Sequence, residues 1–152
     1  MPPKKLSPAT RAQEDKRKGL SASTQAGEFV RDEIDAIRAG KHGARSARQA
    51  IAIGLSRARR AGVKLKAPKK GRTSAATRHK AALDDKAGRH PKRKVSAKRS
   101  RATVKALKGE PTSTVSRKAL SKQTRSAAQK RTPAERSAAA RKAAKTRAKR
   151  KR

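Results

Sequence analysis

The segment Gly40-Lys41-His42-Gly43-Ala44-Arg45-Ser46-Ala47-Arg48-Gln49-Ala50-Ile51-Ala52-Ile53-Gly54-Leu55 closes one stretch of helical periodicity and opens another. On its N-terminal side, Val30, Ile34 and Ile37 fall at i, i+4 and i+7, one stripe of an α-helix, with Phe29 beside them. Gly40 follows the last periodic residue as a stop and sets a helix over about residues 25–39. On the C-terminal side, Ser46-Ala47-Arg48-Gln49 has the S-x-x-Q form of a capping box. In such a box the hydroxyl accepts from a first-turn N–H and the Gln side chain reaches back. Ala47, Ala50, Ile51, Leu55, Ala58 and Ala61 continue as one face of a second helix. Arg57, Arg59 and Arg60 sit where cations suit the helix dipole, and Gly62 stops the helix. Val63 and Leu65 fold back on it before Pro68. A link this short predicts an antiparallel helical hairpin.

Outside this stretch the chain has little to bury. Its 152 residues carry 46 Lys+Arg against 10 Asp+Glu, a formal net charge of +36. The apolar class is 32% of the chain, but 31 of those residues are Ala and only 18 are larger, nine of them between Phe29 and Leu65. Leu, Ile, Val and Phe number 17 of 152, below the level of roughly 20% at which highly charged chains are expected to be disordered. Ordering a residue costs about 1–2 kcal/mol of backbone entropy, and so few large side chains do not offset it over the whole chain. The expected fold class is therefore all-α where ordered: a small helical hairpin plus a largely disordered, helix-prone basic tail.

Charge divides the chain in the same way. Residues 1–40 have net charge +2, 41–66 have +8 and 67–152 have +26. This predicts a disordered leader over 1–23 with at most a helical turn over 8–18, a hairpin module over 24–66, and a cationic tail over 67–152. A hairpin of this size is small for independent folding. It is expected to be marginal, to dimerise into a four-helix bundle, or to pack against a tail helix. The tail is broken at Gly71, Gly88, Pro91, Gly109, Pro111 and Pro133, with helix-forming residues between the breaks. Thr132-Pro133-Ala134-Glu135 is a strong helix start, and Ser137 to Lys149 can follow it. Residues 74–86, 97–108 and 115–130 are weaker candidates, expected to be transient until a polyanion orders them. Arg125-Ser126-Ala127-Ala128 recurs as Arg136-Ser137-Ala138-Ala139, eleven residues or three helical turns later.

Several function classes are excluded. No stretch approaches the roughly 18 uncharged apolar residues of a membrane span. The opening Met1-Pro2-Pro3-Lys4-Lys5 has no apolar run behind it, so no secretory signal is expected. The absence of Cys removes thiol catalysis and zinc–thiolate sites. His42, His79 and His90 lack ligand spacing. Glu28, Asp32 and Asp35, at i, i+4 and i+7 with Glu33 nearby, are expected to pair with the Arg-rich second helix or to shield the module from its own tail rather than to form an active site, and Asp84-Asp85 to punctuate a basic helix. Neither an enzyme nor a cofactor is expected.

What remains is polyanion binding. The tail's Lys and Arg suit phosphate neutralisation with counterion release, and the near absence of aromatics leaves no platform for stacking bases, which favours duplex backbone over single strands. The expected contacts are Arg117, Lys118, Arg125, Arg136, Arg141, Lys142, Lys145 and Arg147. A secondary set is Lys41, Arg45 and Arg48 around the inter-helix loop, where two Gly and a following helix N-terminus suit phosphate. That loop resembles the G-x-x-G clamp of KH domains and the hairpin of helix-hairpin-helix DNA-binding motifs. The stretch from Glu28-Phe29-Val30-Arg31 to Arg59-Arg60-Ala61-Gly62 resembles a module of small, basic, functionally uncharacterised bacterial proteins, which implies a bacterial source. The end of the chain, from Ala138 to Arg152, is similar to the Lys/Ala-rich tails of linker histones and bacterial histone-like proteins, which implies nucleoid or chromatin association.

The expected function is a non-enzymatic, sequence-nonspecific, histone-like protein that neutralises and compacts duplex DNA, with a homodimer through residues 24–66 as one arrangement. An RNA- or ribosome-associated basic protein is the alternative, and a protein-interaction module tethered by its tail a further one. No membrane partner is expected. The expected location is the cytoplasm and nucleoid of a bacterium, or the nucleus if the source is eukaryotic, where Pro91-Lys92-Arg93-Lys94-Val95 and Lys149–Arg152 read as import-type basic runs.

Overall fold

A computed structural model describes residues 6–90 and 94–151. The opening Met1–Lys5, residues Pro91–Arg93 of the first basic run, and Arg152 of the second lie outside them. Among the described residues there are seven α-helices and no strand: α1 Pro8–Arg17, α2 Ala22–Arg38, α3 Ala47–Arg60, α4 Ala75–Arg89, α5 Ala97–Lys108, α6 Arg117–Gln129 and α7 Pro133–Arg150, with a 3-10 turn at Ser113–Val115 before α6.

Each of these helices starts behind a Ser or Thr whose hydroxyl accepts the N–H three residues on: Ser7, Ser21, Ser46, Ser74, Ser96, Ser116 and Thr132. Each such cap contributes about 1 kcal/mol. At Ser46 the hydroxyl accepts from Gln49 N–H at 3.1 Å, but the Gln49 side chain reaches past Ser46 and accepts from Arg45 N–H at 2.6 Å. At Thr132 both halves of the box form. The Thr132 backbone N–H, aided by the Arg72 guanidinium, holds the Glu135 carboxyl below its usual range. This anchor is present above the unfolded-state value of 4.5 and is lost as pH falls through the lowered folded value. At the other end, α2 closes on Gly40 at φ 73° and α3 on Gly62 at φ 89°. Lys41 N–H bonds Ala36 O and Val63 N–H bonds Ala58 O, the six-to-one closure that needs a left-handed residue between.

The centre is the α2–α3 hairpin. Ala26 and Phe29 near the start of α2 meet Ala58 and Val63 at the end of α3, while Ile37 near the end of α2 meets Ala44 and Ala50 at the start of α3, so the two helices are antiparallel. They cross tightly at Gly54, where a Cβ would lie 2.6 Å from Val30 Cα. Helix α1 covers the first cluster with Ala12. Helix α4 packs on α3, where Gly88 lies so close to the Arg59 carbonyl that a Cβ would sit 2.0 Å from its oxygen. The hairpin's apolar faces are thus covered from within the chain by its neighbours.

The expected largely disordered tail is overturned, because residues 75–89, 97–108, 117–129 and 133–150 are helices. In the leader, helix α1 takes up residues 8–17, where a short helical turn over 8–18 is the one structure expected. The entropy comparison behind the expectation counted only large side chains. Seven of the twelve buried hydrophobic residues are Ala, which has no side-chain rotamer entropy to lose and favours the helix intrinsically. The tail is also tied down by a few specific bonds. Gly43 N–H bonds Leu107 O at 2.8 Å, Ala44 N–H bonds Pro111 O at 3.1 Å, and Thr114 Oγ1 donates to Ala44 O at 2.8 Å. Val115, fully buried, completes the Ile37–Ala44–Ala50 cluster, and Arg38 Nε caps its carbonyl at 3.2 Å.

Order does not mean compaction. The chain exposes 11805 Å², against roughly 7,500 Å² for a compact monomer of 16.4 kDa by the usual size scaling. Helices α5, α6 and α7 contribute no fully buried residue. Their residues lie largely at the surface.

Asp84 is no mere punctuation of a basic helix. It is 2% exposed and accepts from Ser56 Oγ at 2.6 Å and Arg60 Nε at 2.8 Å, fixing α4 to α3. Asp84→Ala removes a buried carboxylate and leaves Ser56 and Arg60 without it, at an expected cost of about 2–3 kcal/mol. Thermal melting by circular dichroism measures it; a melting temperature equal to that of the wild type would show that α4 is held by other means.

Candidate nucleic-acid interface

All eleven cations expected from the sequence to meet phosphate are exposed. Their surroundings separate them into groups. Arg117, Lys118, Arg125, Arg141, Lys145, Arg147, Lys41 and Arg48 make no ion pair or side-chain hydrogen bond among the described residues, so their charges face solvent. Arg45 is 3.8 Å from Glu110, Arg136 donates to the Arg131 carbonyl at 2.9 Å, and Lys142 donates to Ser23 Oγ at 2.6 Å.

The densest arrangement is on α6. At about 100° per residue, Arg117, Lys118, Lys122 and Arg125 fall within an arc of about 140°, while Leu120, Gln123 and Ala127 on the other side are half-buried. Lys122 belongs to this set and was missed from the sequence; placing α6 on a wheel with Leu120 inward would have found it. Helix α7 is basic over most of its circumference, and only part of that charge is outward. Lys142, Lys149 and Arg150 turn toward the module, with Lys149 Nζ 3.3 Å from Gly19 O and Arg150 bonding Asp15 at 2.9 Å and Glu28 at 3.1 Å. Arg141 and Lys145 lie away from these. The Arg-Ser-Ala-Ala repeat does not share one helical register, because its copies stand on α6 and α7 with a break at residues 130–132 between them.

The few carboxylates are spent inside the fold. Asp15, Glu28, Asp32, Glu33, Asp84, Asp85, Glu110 and Glu135 take part in ion pairs. Arg57 spans Asp32 and Glu33 at 2.9 Å each, joining α3 to the acidic face of α2. Arg11 and Arg150 converge on Glu28, and Arg72 reaches Glu135 across to α7. Each carboxylate that folds an internal cation down is unavailable to screen an external one, so the outward field is positive.

The inter-helix loop makes its turn at Gly40 and closes on the chain's own backbone. The Gly43 and Ala44 amides that would meet an anion are bonded to the Leu107 and Pro111 carbonyls. Gly43 lacks a Cβ because one would lie 1.8 Å from Glu110 O; it admits the chain's own backbone rather than a ligand. Lys41, Arg45 and Arg48 therefore remain only as surface charges.

The three histidines stand apart. His42 lies 3.4 Å from Glu33 and 3.1 Å from the Gly43 carbonyl, and His79 and His90 are on or beside α4. No group of three or more His, Asp or Glu side chains able to hold a metal occurs among the described residues, and no helix there is long and apolar enough to cross a membrane.

Residues 16–71 match a family of unknown function, DUF6496. The match runs from the end of α1 through α2 and α3 into the extended segment that follows, the hairpin and its immediate supports. It covers a little over a third of the chain and leaves α4 to α7 outside it. No curated protein and no solved structure matches the chain.

Proposed function

We propose that this is a non-enzymatic, sequence-nonspecific, histone-like protein that binds duplex DNA through its phosphate backbone, neutralises it and compacts it, acting in the nucleoid. One observation carries the reading: most of the few carboxylates are held in ion pairs within the fold, while α5, α6 and α7 bury none of their residues fully and present unpaired Lys and Arg to solvent. Such a surface releases condensed counterions when it meets a polyphosphate. The chain has one Phe and no Trp or Tyr, so it offers no ring on which bases stack, which favours a duplex over single strands.

The mechanism differs from that of a flexible tail. The α6 cations are already on one face, so the polymer does not have to order them and less entropy is lost on binding. Sequence selectivity is not expected, since Lys and Arg on phosphates carry none.

The test is a binding series with duplex DNA across salt, competed with structured RNA. The expected result is a linear fall of log K with log salt, with a slope of about −0.9 per phosphate contact, and little dependence on base sequence. No binding at low ionic strength, or a slope near zero, would overturn the proposal. Structured RNA winning the competition tenfold or more would move the assignment to an RNA-associated protein.

A further inference from the structure

We propose that α7 is a latch: Arg150 near its end is held by a buried carboxylate pair on α1 and α2, and a phosphate backbone competes for that cation and releases the helix. The inference rests on the duplex-binding reading above and adds to it a conformational control.

Helix α7 is tethered rather than packed. None of its residues is buried, and none belongs to either core cluster. Between it and the start of α2 a space of about 450 Å³ remains, with Ala139, Ala143 and Thr146 of α7 on one side and Ser23 and Thr24 of α2 on the other. Its hydrogen bonds and ion pairs to the rest of the described chain come from its charged side chains. At its start Glu135 meets Arg72, and along its length Lys142 Nζ donates to Ser23 Oγ at 2.6 Å and Lys149 Nζ to the Gly19 carbonyl at 3.3 Å. Exposed contacts of this kind contribute little to stability. The capping box of α7 lies within its own first turn, and residues 130–132 break the helix from α6, so it can swing as a unit.

The far end is held differently. Arg150 Nη2 lies 2.9 Å from Asp15 Oδ2 and 3.1 Å from Glu28 Oε1. Asp15 and Glu28 are only 7% and 8% exposed, so the guanidinium meets them where salt screens weakly. Arg11 takes the other Glu28 oxygen at 2.6 Å and ties α1 to α2. The two carboxylates therefore form a fixed receptor that one more cation completes. When Arg150 leaves, Glu28 keeps Arg11, and of the two carboxylates only Asp15 loses its cation.

A duplex offers the same chemistry at higher density, one negative charge per roughly 1.7 Å of its axis. Helix α7 carries seven cations against one carboxylate. Docked, Lys142, Lys149 and Arg150 are turned to the module; undocked, they too are free to meet phosphate. The polymer thus binds the undocked form more tightly, and that difference in affinity shifts the equilibrium. In its absence the latched fraction lowers the apparent affinity.

Energy transfer within the full chain tests this. The sequence has no Cys, so Gly27→Cys on α2 and Ala148→Cys on α7, both exposed, take a dye pair without competition. High transfer is expected at 0.1 M salt, falling when a short DNA duplex saturates the protein. Transfer is expected to be low without DNA in Asp15→Asn/Glu28→Gln, and equally in Arg150→Ala, which opens the latch from the α7 side and leaves the module's own residues intact. The carboxylate variant should bind duplex about tenfold more tightly. Asp85→Asn/Glu110→Gln, which removes the same charge away from α7, should gain less than about threefold, because salt screens distant charges. Transfer unchanged at duplex saturation, transfer in both variants equal to the wild type's, or equal affinity gains in the two charge-matched variants would overturn the latch and leave the duplex-binding reading standing. No duplex bound by the wild type overturns both.

Discussion

Replacing Arg117, Lys118, Lys122 and Arg125 together with Gln is expected to lower duplex affinity by about 10³-fold at 0.1 M salt, and to reduce the slope of log K against log salt by about 3 to 4. The size follows from counting. Each phosphate contact contributes about 0.9 to the slope, and at 0.1 M each unit of slope is a factor of about ten. Four cations on one helical face can engage one backbone together, which the more dispersed cations of α7 cannot. The matching control removes four charges that already have work inside the fold, Arg11, Arg57, Arg60 and Arg150. Its expected signature is a lower melting temperature with a slope reduced by less than the α6 variant's. A salt series on both variants, with melting curves, separates the cases. Equal slope changes from the two sets would mean that net charge alone, and not the α6 face, governs binding.

The hairpin was legible because its signals are local. The Val30–Ile34–Ile37 stripe, the Gly40 and Gly62 stops and the Ser46 cap each depend on residues within one or two turns, and each has its counterpart in the fold. The same local chemistry was available through the tail. Ser74, Ser96, Ser116 and Thr132 all cap helices, and the helix positions expected over 74–86, 97–108 and 115–130 fall close to α4, α5 and α6. What was misjudged was their persistence. Persistence depends on contacts made over long separations, such as Arg150 with Asp15, Val115 with Ile37, and Gly43 N–H with Leu107 O. Spacing along the chain does not reveal these.

The interface was legible in kind and only partly in place. Composition alone marks the chain as a polycation. Deciding which cations face outward requires knowing where the ten acids go, and their partners lie up to 135 residues away. Lys142, one of the expected phosphate contacts, donates to Ser23 Oγ, a neighbour that spacing along α7 does not reveal. The glycines of the inter-helix loop were legible as close-approach positions, but not the identity of what approaches. Glycine reports that a neighbour is near; only the fold says whether that neighbour is a phosphate or the carbonyl of Glu110.

Gly54→Val is expected to be the most damaging single substitution to the fold, at about 3 kcal/mol or more. A Cβ at this position would meet Val30 Cα at 2.6 Å and Val30 N at 2.9 Å, and both are backbone atoms of α2 that cannot rotate away. Relief requires the two central helices to separate, which loosens the Ala26–Phe29–Ala58–Val63 cluster on one side and the Ile37–Ala44–Ala50–Val115 cluster on the other. Because Val115 anchors the approach to α6, the loss would spread from the hairpin to the cationic helices. Gly27→Ala provides the contrast on α2, where a Cβ meets nothing within 4 Å. There the change only restores helix propensity, and a gain of about 0.5–1 kcal/mol is expected. Urea unfolding followed by circular dichroism distinguishes the two. Gly54→Val should lose helical signal over the hairpin and α6 together. If it lost signal only in proportion to α2 and α3, the tail helices would owe their order to their own caps rather than to the core beneath them.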